Sequence, residues 1–297
     1  KAVYEEQGLS ETTKFYYANS DIVTVTQVKF AERVKDFCGG ILAVVKNAVD
    51  YKLDCWNVPK MSPPRKRFVR IGWAGGIHHI PDVRVFSGVP RLVNQMVGAE
   101  RVKWDFYGHP PKPPQPDPNY QWQADVWADY RNQLLRGFKG KKNWQIHYAL
   151  NPSDYGIIFA NMDISIAPLQ MNAFNDSKSD IKVAECGRYK IPLIASDVGC
   201  YNETIKNGVT GYLIPPNAPK SEWVKVLTKC IKNPNHVRDM GEALYEVTQK
   251  YFDINKVVHH RLELYEESLS LIFNRETAAL KEEGLAAKAM DEKFKYN

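Results

Sequence analysis

Between Phe174 and Glu185 the chain reads FNDSKSDIKVAE, its richest set of groups suited to chemistry. Asn175, Asp176 and Ser177 are turn and capping residues, and they predict a helix over 177–189. In such a helix Lys178 and Lys182, four residues apart, place both ammonium groups on one face, with Glu185 three residues beyond Lys182. A helix N-terminus attracts anions through its free N–H groups and its dipole. Two lysines beside it add point charges suited to a diphosphate. Glu185, one turn further on, suits hydrogen bonds from ribose hydroxyls, the task of the acidic residue in dinucleotide sites. The same spacing also describes a solvated helix face with one Lys–Glu pair, worth about 0.3–0.5 kcal/mol.

Two smaller clusters stand upstream. Gly72-Trp73-Ala74-Gly75-Gly76 closes an expected strand, and glycine there lets backbone amides approach a phosphate. Gly75 and Gly76 are adjacent, unlike the glycines of the dinucleotide GxGxxG spacing, so a tight structural turn and a phosphate loop both stay open. His78-His79 follows directly, at the strand end where α/β proteins bind ligands, and a surface role stays open beside a catalytic one. No third ligand stands at a metal-site spacing from this pair, so no metal is expected.

These groups need a frame, and the chain alternates strand and helix. DIVTVT (21–26) and ILAVV (41–45) are strands around a helical spacing over 27–38, which Gly39-Gly40 closes. PKMSPPRKR (59–67) reads as a linker and a domain boundary. Strands at 68–73, 102–107, 144–148, 163–167, 192–195 and 212–214 then alternate with helices at 82–97, 122–136, 152–162 and 177–189. Such alternation implies a doubly wound parallel sheet with ligands beyond the carboxyl ends of its strands. HPPKPPQPDPN (109–119) predicts an exposed loop, because its prolines leave no helix or interior strand. Helices are expected over 220–232, 235–251 and 253–274, before a charged tail, 275–297, whose state the composition leaves open.

Composition sets outer limits. The 297 residues suffice for one large or two medium domains, at about 100–200 residues each. Hydrophobic residues at 44% and charged residues at 25% match a globular chain. No run approaches the roughly 20 apolar residues of a membrane helix. The net charge of +6 is spread out; a solvated surface, an anionic ligand or an acidic membrane surface all accommodate it. No nucleic-acid module is recognisable. The 5 cysteines contain no CxxC pair, which argues against a disulfide framework and for a reducing, cytoplasmic setting. Because the first residue is Lys1, the chain reads as a piece of a longer protein.

In this order, DISIAPL, FNDSKSDIKVAECG and IPLIASDVGCYNETIKNGVTGYLIPP resemble the C-terminal domain of GT-B glycosyltransferases of the retaining family 4. SDIVTVT…ILAVVKNAVD is similar to the last strand–helix–strand of that family's N-terminal domain. RIGWAGGIHHIPDV resembles the first strand and loop of its C-terminal domain, with Gly75, His79 and Asp82 on the pattern. The likeness covers roughly residues 18–270. It implies a Rossmann-like nucleotide-sugar domain at 68–252 and a truncated remnant of the acceptor-side domain at 1–58. It also implies the linker at 59–67, a helix at 253–274 packing back toward the N-terminal part, and the tail at 275–297.

The resemblance further implies retaining transfer from a nucleotide-diphosphate sugar to a glycan, lipid or protein acceptor. It implies no cofactor, no essential metal and no nucleic-acid partner, and allows peripheral membrane or partner-chain association. Lys182 and Glu185 become the catalytic pair. Gly75, Gly76, Lys178 and Lys182 take the diphosphate, and Glu185, the second glutamate of the family's E-x7-E motif, takes the ribose. The first glutamate of that motif falls at Ser177, so the sugar contact passes to His79, Asp176, Ser177 or Asp180. That departure and the short N-terminal part keep two rivals: an inactive binding module of the same fold, and a sugar-nucleotide epimerase.

Overall fold

The computed structural model describes residues 9–60, 68–138, 142–199 and 201–282. The chain divides into two compact units, residues 1–46 with 255–297, and residues 47–254. In the first, helix α1 (Leu9–Asn19) precedes strand β1 (Ile22–Val25), helix α2 (Val28–Val34) and strand β2 (Ile41–Val44). β1 and β2 pair in parallel, so a crossover must join them, and α2 supplies it. Gln27 caps α2 by accepting from the Lys29 N–H. Val23, Val25 and Val34 form a small core. α1 was not expected, because its exposed Phe15 and Tyr16 blur any apolar stripe.

The larger unit is built on β3 (Val69–Ala74), β4 (Val102–His109), β5 (Trp144–Tyr148), β6 (Ile164–Ala167), β7 (Leu193–Ser196) and β8 (Gly211–Ile214). All are parallel, in the order β5-β4-β3-β6-β7-β8. Between them run α3 (Ile80–Val83), α4 (Val89–Val97), α5 (Pro118–Leu134), α6 (Gly156–Ala160), α7 (Ala173–Asp176), α8 (Ile181–Arg188) and α9 (Tyr201–Thr204). After β8 come α10 (Lys220–Lys232) and α11 (Pro234–Tyr251), while α12 (Ile254–Glu282) belongs from residue 255 on to the first unit. β6 and β7 are buried at every position, as central parallel strands must be.

Alternate residues of the strands feed two cores, one on each face. Ile71, Trp73, Trp104 and Phe106 meet Val93 of α4, Trp127 and Tyr130 of α5, and Trp223 and Leu227 of α10. Ala74 and Tyr107 meet Phe159 of α6, Val183 of α8 and Leu244 of α11. The doubly wound α/β sheet is therefore present, with helices on both faces. Truncating a buried tryptophan such as Trp104 or Trp223 to alanine costs about 3–5 kcal/mol.

From β3 the strands step outward to β4 and β5, then return beside β3 at β6 and step the other way to β7 and β8. The order reverses between β3 and β6. Loops leaving those two strands diverge, and the crevice between them is where open α/β sheets bind ligands.

Several helices are shorter than periodicity alone suggests. The helix expected over 82–97 breaks at Gly88, whose φ of 75° is left-handed, so α4 starts afresh at Val89. The proline-rich loop yields to helix at Pro118, because proline suits the first helical turn and Asp117 caps it by accepting from the Asn119 N–H. Residues 152–162 hold a single tight turn and then the short α6. Residues 47–58 belong to the larger unit, where the Tyr51 hydroxyl donates to Ala184 O at 3.1 Å. α12 continues past the expected end at 274 into the expected tail. Residues 61–67 of the linker, 283–297 of the tail and Cys200 lie outside the described residues. No helix among the described residues is long and apolar enough to cross a membrane.

Candidate functional site

The loop after β3 begins at Gly75-Gly76, and the two glycines differ in their reason for being there. A Cβ on Gly75 would stand 2.4 Å from the Trp73 ring. The Gly75 N–H donates to Tyr107 O at 3.2 Å, so its amide is used at the strand edge and is not turned to a ligand. Gly76 would take a Cβ with nothing within 4 Å, so the backbone lies open there. Its carbonyl accepts from the Tyr130 hydroxyl at 2.8 Å and the His79 N–H at 3.3 Å. Gly75 thus extends the β3–β4 pairing, and the backbone is open at Gly76.

Asp82, only 3% exposed, is the hub of the crevice. It accepts from His79 Nδ1 at 2.8 Å, the Gln170 N–H at 2.9 Å and Asn175 Nδ2 at 2.6 Å. Lys178 Nζ stands 3.8 Å away. Burial alone would raise the Asp82 pKa, but His79, Gln170, Asn175 and Lys178 outweigh it and hold the carboxyl below its ordinary value. An ionised carboxylate only accepts, so His79 donates to it from Nδ1. Burial pushes the Lys178 pKa down against the pull of Asp82. These groups come from both sides of the switch point: His79 and Asp82 after β3, Gln170, Asn175 and Lys178 after β6.

The helix expected over 177–189 starts late, at Ile181, and a separate short helix, α7, ends just before the expected start. Asn172 accepts from the Asn175 N–H and starts α7, and Ser177 Oγ donates back to Ala173 O at 2.8 Å where α7 ends. α8 starts at Ile181, so Lys178 sits in the intervening turn and not on a helix face shared with Lys182. Side-chain bonds to nearby backbone compete with helix here, as Ser and Asn do. The candidate sugar contacts are put to other uses: Asp176 Oδ1 accepts from the Gly199 N–H at 3.2 Å, and the buried Asp180 accepts from Thr204 Oγ1.

Lys182 and Glu185 do share a face of α8, with Nζ 3.4 Å from the carboxylate and side chains only 19% and 11% exposed. Burial opposes the lysine charge, and Glu185 first among its neighbours restores it, so Lys182 stays protonated. Its ammonium lies 5.6 Å from the Phe159 ring centroid. Tyr155, from the loop after β5, lies beside the pair, its phenol pushed up to about 12 by burial. Contact with Glu185 occupies one of the three N–H donors of an ammonium. The crevice therefore presents lysines in defined places, an open glycine backbone and an oriented histidine, a set suited to an anion bearing a polar group.

The sequence marked Asn175 only as a turn residue and gave no signal for Gln170. They reach Asp82 across 93 and 88 residues, a meeting only the sheet order creates. A second polar cluster clamps the middle of β3, β4 and β5. Asp105, buried, accepts from Arg70 Nη1 at 3.1 Å and His147 Nε2 at 2.7 Å, while Tyr107 stacks on His147 at 4.2 Å. Among the described residues no group of three or more His, Cys, Asp or Glu side chains is placed to hold a metal ion.

Residues 129–247 match the family model of glycosyl transferases, group 1. That stretch holds Lys178, Lys182 and Glu185, while the Gly75–Asp82 loop lies upstream of it. No curated protein matches the chain in sequence. Among solved structures, sucrose-phosphate synthase from Thermosynechococcus elongatus superimposes with a TM-score of 0.61 at 16% identity, over 87% of this chain and 61% of that one. Anabaena HepE, solved in complex with UDP-glucose, gives 0.63 at 14% identity, over 88% and 68%. A glycosyltransferase from Rickettsia africae gives 0.58 at 18%, over 87% and 67%. At such identities the likeness shows the fold: a parallel α/β architecture shared with GT-B glycosyltransferases. The chain spans about three-fifths of the synthase's length.

Proposed function

We propose that the chain is the donor-binding side of a retaining, family 4-like glycosyltransferase, taking its sugar from a nucleotide-diphosphate donor. The reading rests on one observation: His79, Asp82 and Lys178 converge at the switch point of the sheet, with the Lys182–Glu185 pair on the next helix. When the glycosidic bond breaks, negative charge grows on the leaving diphosphate. Lys182 and Lys178, held by carboxylates, stabilise that charge without reorganising, the form of assistance that lowers barriers most. The Gly76 backbone approaches the phosphates, Glu185 receives the ribose hydroxyls, and His79, oriented by Asp82, faces the donor sugar. No metal is assigned a role, and the acceptor binds a second domain of which residues 1–46 are a part.

UDP-glucose binding by calorimetry tests this. The chain binds it, and Lys182→Gln weakens binding at least tenfold, about 1.4 kcal/mol, while leaving the fold intact. No heat with UDP-, GDP- or other nucleotide sugars sinks the proposal. A second reading, a non-catalytic nucleotide-sugar module, draws on Ser177, whose hydroxyl is turned to Ala173 O where the motif has a glutamate. Binding without transfer or slow donor hydrolysis, in the presence of the complete acceptor side, selects that reading.

A further inference from the structure

Outside the crevice, the end of α5 and the start of β5 line an open surface concavity of about 400 Å³, bordered by Arg131, Leu135, Arg136, Phe138 and Trp144. Its size is that of a small-ligand pocket. Its charge is one-sided. Lys142 Nζ lies 4.5 Å from the Trp144 ring centroid. Arg91 reaches in from α4: a Cβ on Gly137, which also lines the concavity, would stand 3.1 Å from Arg91 Nε. Lys220, at the start of α10, completes the set; partial burial first and the nearby Arg136 second lower its pKa. Among the described residues, none of Arg91, Arg131, Arg136, Lys142 and Lys220 pairs with a carboxylate. Five cations, four of them exposed, around one concavity make a local positive potential that attracts an anion.

We propose that this concavity binds a phosphoryl group, with Arg131, Arg136, Arg91 and Lys220 as its cationic partners and Trp144 and Phe138 flanking the apolar part of the ligand. Arginine suits this task because its planar fork matches phosphate oxygens in pairs. The site is separate from the donor crevice: Trp144 opens β5, whereas Tyr155 of the crevice follows that strand's other end. A phosphoryl group reaches it either as a small phosphorylated compound or as the headgroup of an anionic lipid.

The test follows the Trp144 indole N–H by NMR, assigned with Trp144→Phe, as inorganic phosphate is added to about 10 mM at low ionic strength, where screening is weak. The signal shifts and saturates, and Arg136→Gln/Lys220→Gln, both exposed positions, weakens the response about tenfold. Sedimentation with vesicles of phosphatidylglycerol and phosphatidylcholine then separates the sources. Co-sedimentation that pure phosphatidylcholine does not support, that phosphate blocks and that the double variant loses, assigns the headgroup; phosphate binding without it assigns the small compound. An indole signal that neither phosphate nor vesicles move, or a double variant that responds like the parent, overturns the proposal. No nucleotide enters the experiment, so its outcome is independent of the donor-site reading.

Discussion

Asp82→Asn isolates the charge at the centre of the crevice. Asparagine keeps the shape and one acceptor oxygen, but turns an NH2 group toward donors and removes the charge that faces Lys178. Hydrogen bonds to charged groups are worth about 1.5–3 kcal/mol each. Asp82 receives three, at 2.8, 2.9 and 2.6 Å, and asparagine satisfies some of them, so a net loss of about 2–4 kcal/mol is expected. In a unit of this size that lowers Tm by about 5–15 °C. The pH dependence gives a second handle. The folded pKa of Asp82 lies below its ordinary value. Its contribution is therefore complete above the unfolded carboxyl value, about 3.9, and is lost as pH falls through the folded pKa. Protonated Asp82 resembles asparagine, so the gap between parent and variant closes in that acid range. Urea unfolding followed by tryptophan fluorescence, at pH 7 and in steps below pH 4, reads both effects. Equal stability at pH 7, or a gap that persists undiminished in acid, refutes the reasoning.

The paired glycines give opposite outcomes. Gly75→Ala drives a methyl into the Trp73 ring and costs about 1–3 kcal/mol of stability, measured by urea unfolding. Gly76→Ala meets open space and folds like the parent, yet weakens UDP-glucose binding; unchanged affinity would remove Gly76 from the donor site. Asp105→Ala strips Arg70 and His147 of their shared partner, and because Arg70 keeps contact with water the loss is about 2–3 kcal/mol. Nucleotide-sugar affinity of the folded variant stays at the parent level, and a drop would show that the β3–β5 clamp reaches the crevice.

The sheet was legible because its central strands are buried on both faces. Runs such as ISIA and LIAS are apolar at nearly every position, and only a central parallel strand accommodates that pattern. Lys182 and Glu185 were legible for a related reason, since three residues apart on a helix always share a face. Lys178 was misplaced with them, because spacing cannot tell a continuous helix from two short ones. Asn172 starts the short α7 and Ser177, bonded back to Ala173 O, stands at its end, so α8 begins only at Ile181.

What the sequence determined by itself is therefore the alternation of elements and the class of fold, both local consequences of periodicity and turn chemistry. Only the tertiary structure decided that Asp82 would meet Asn175 and Gln170, that Gly75 would give its amide to Tyr107, and that Arg91 and Lys220 would join Gly137 and Arg136. Each is a meeting of segments distant in the chain. The order of strands in the sheet brings them together, and no local pattern carries that order.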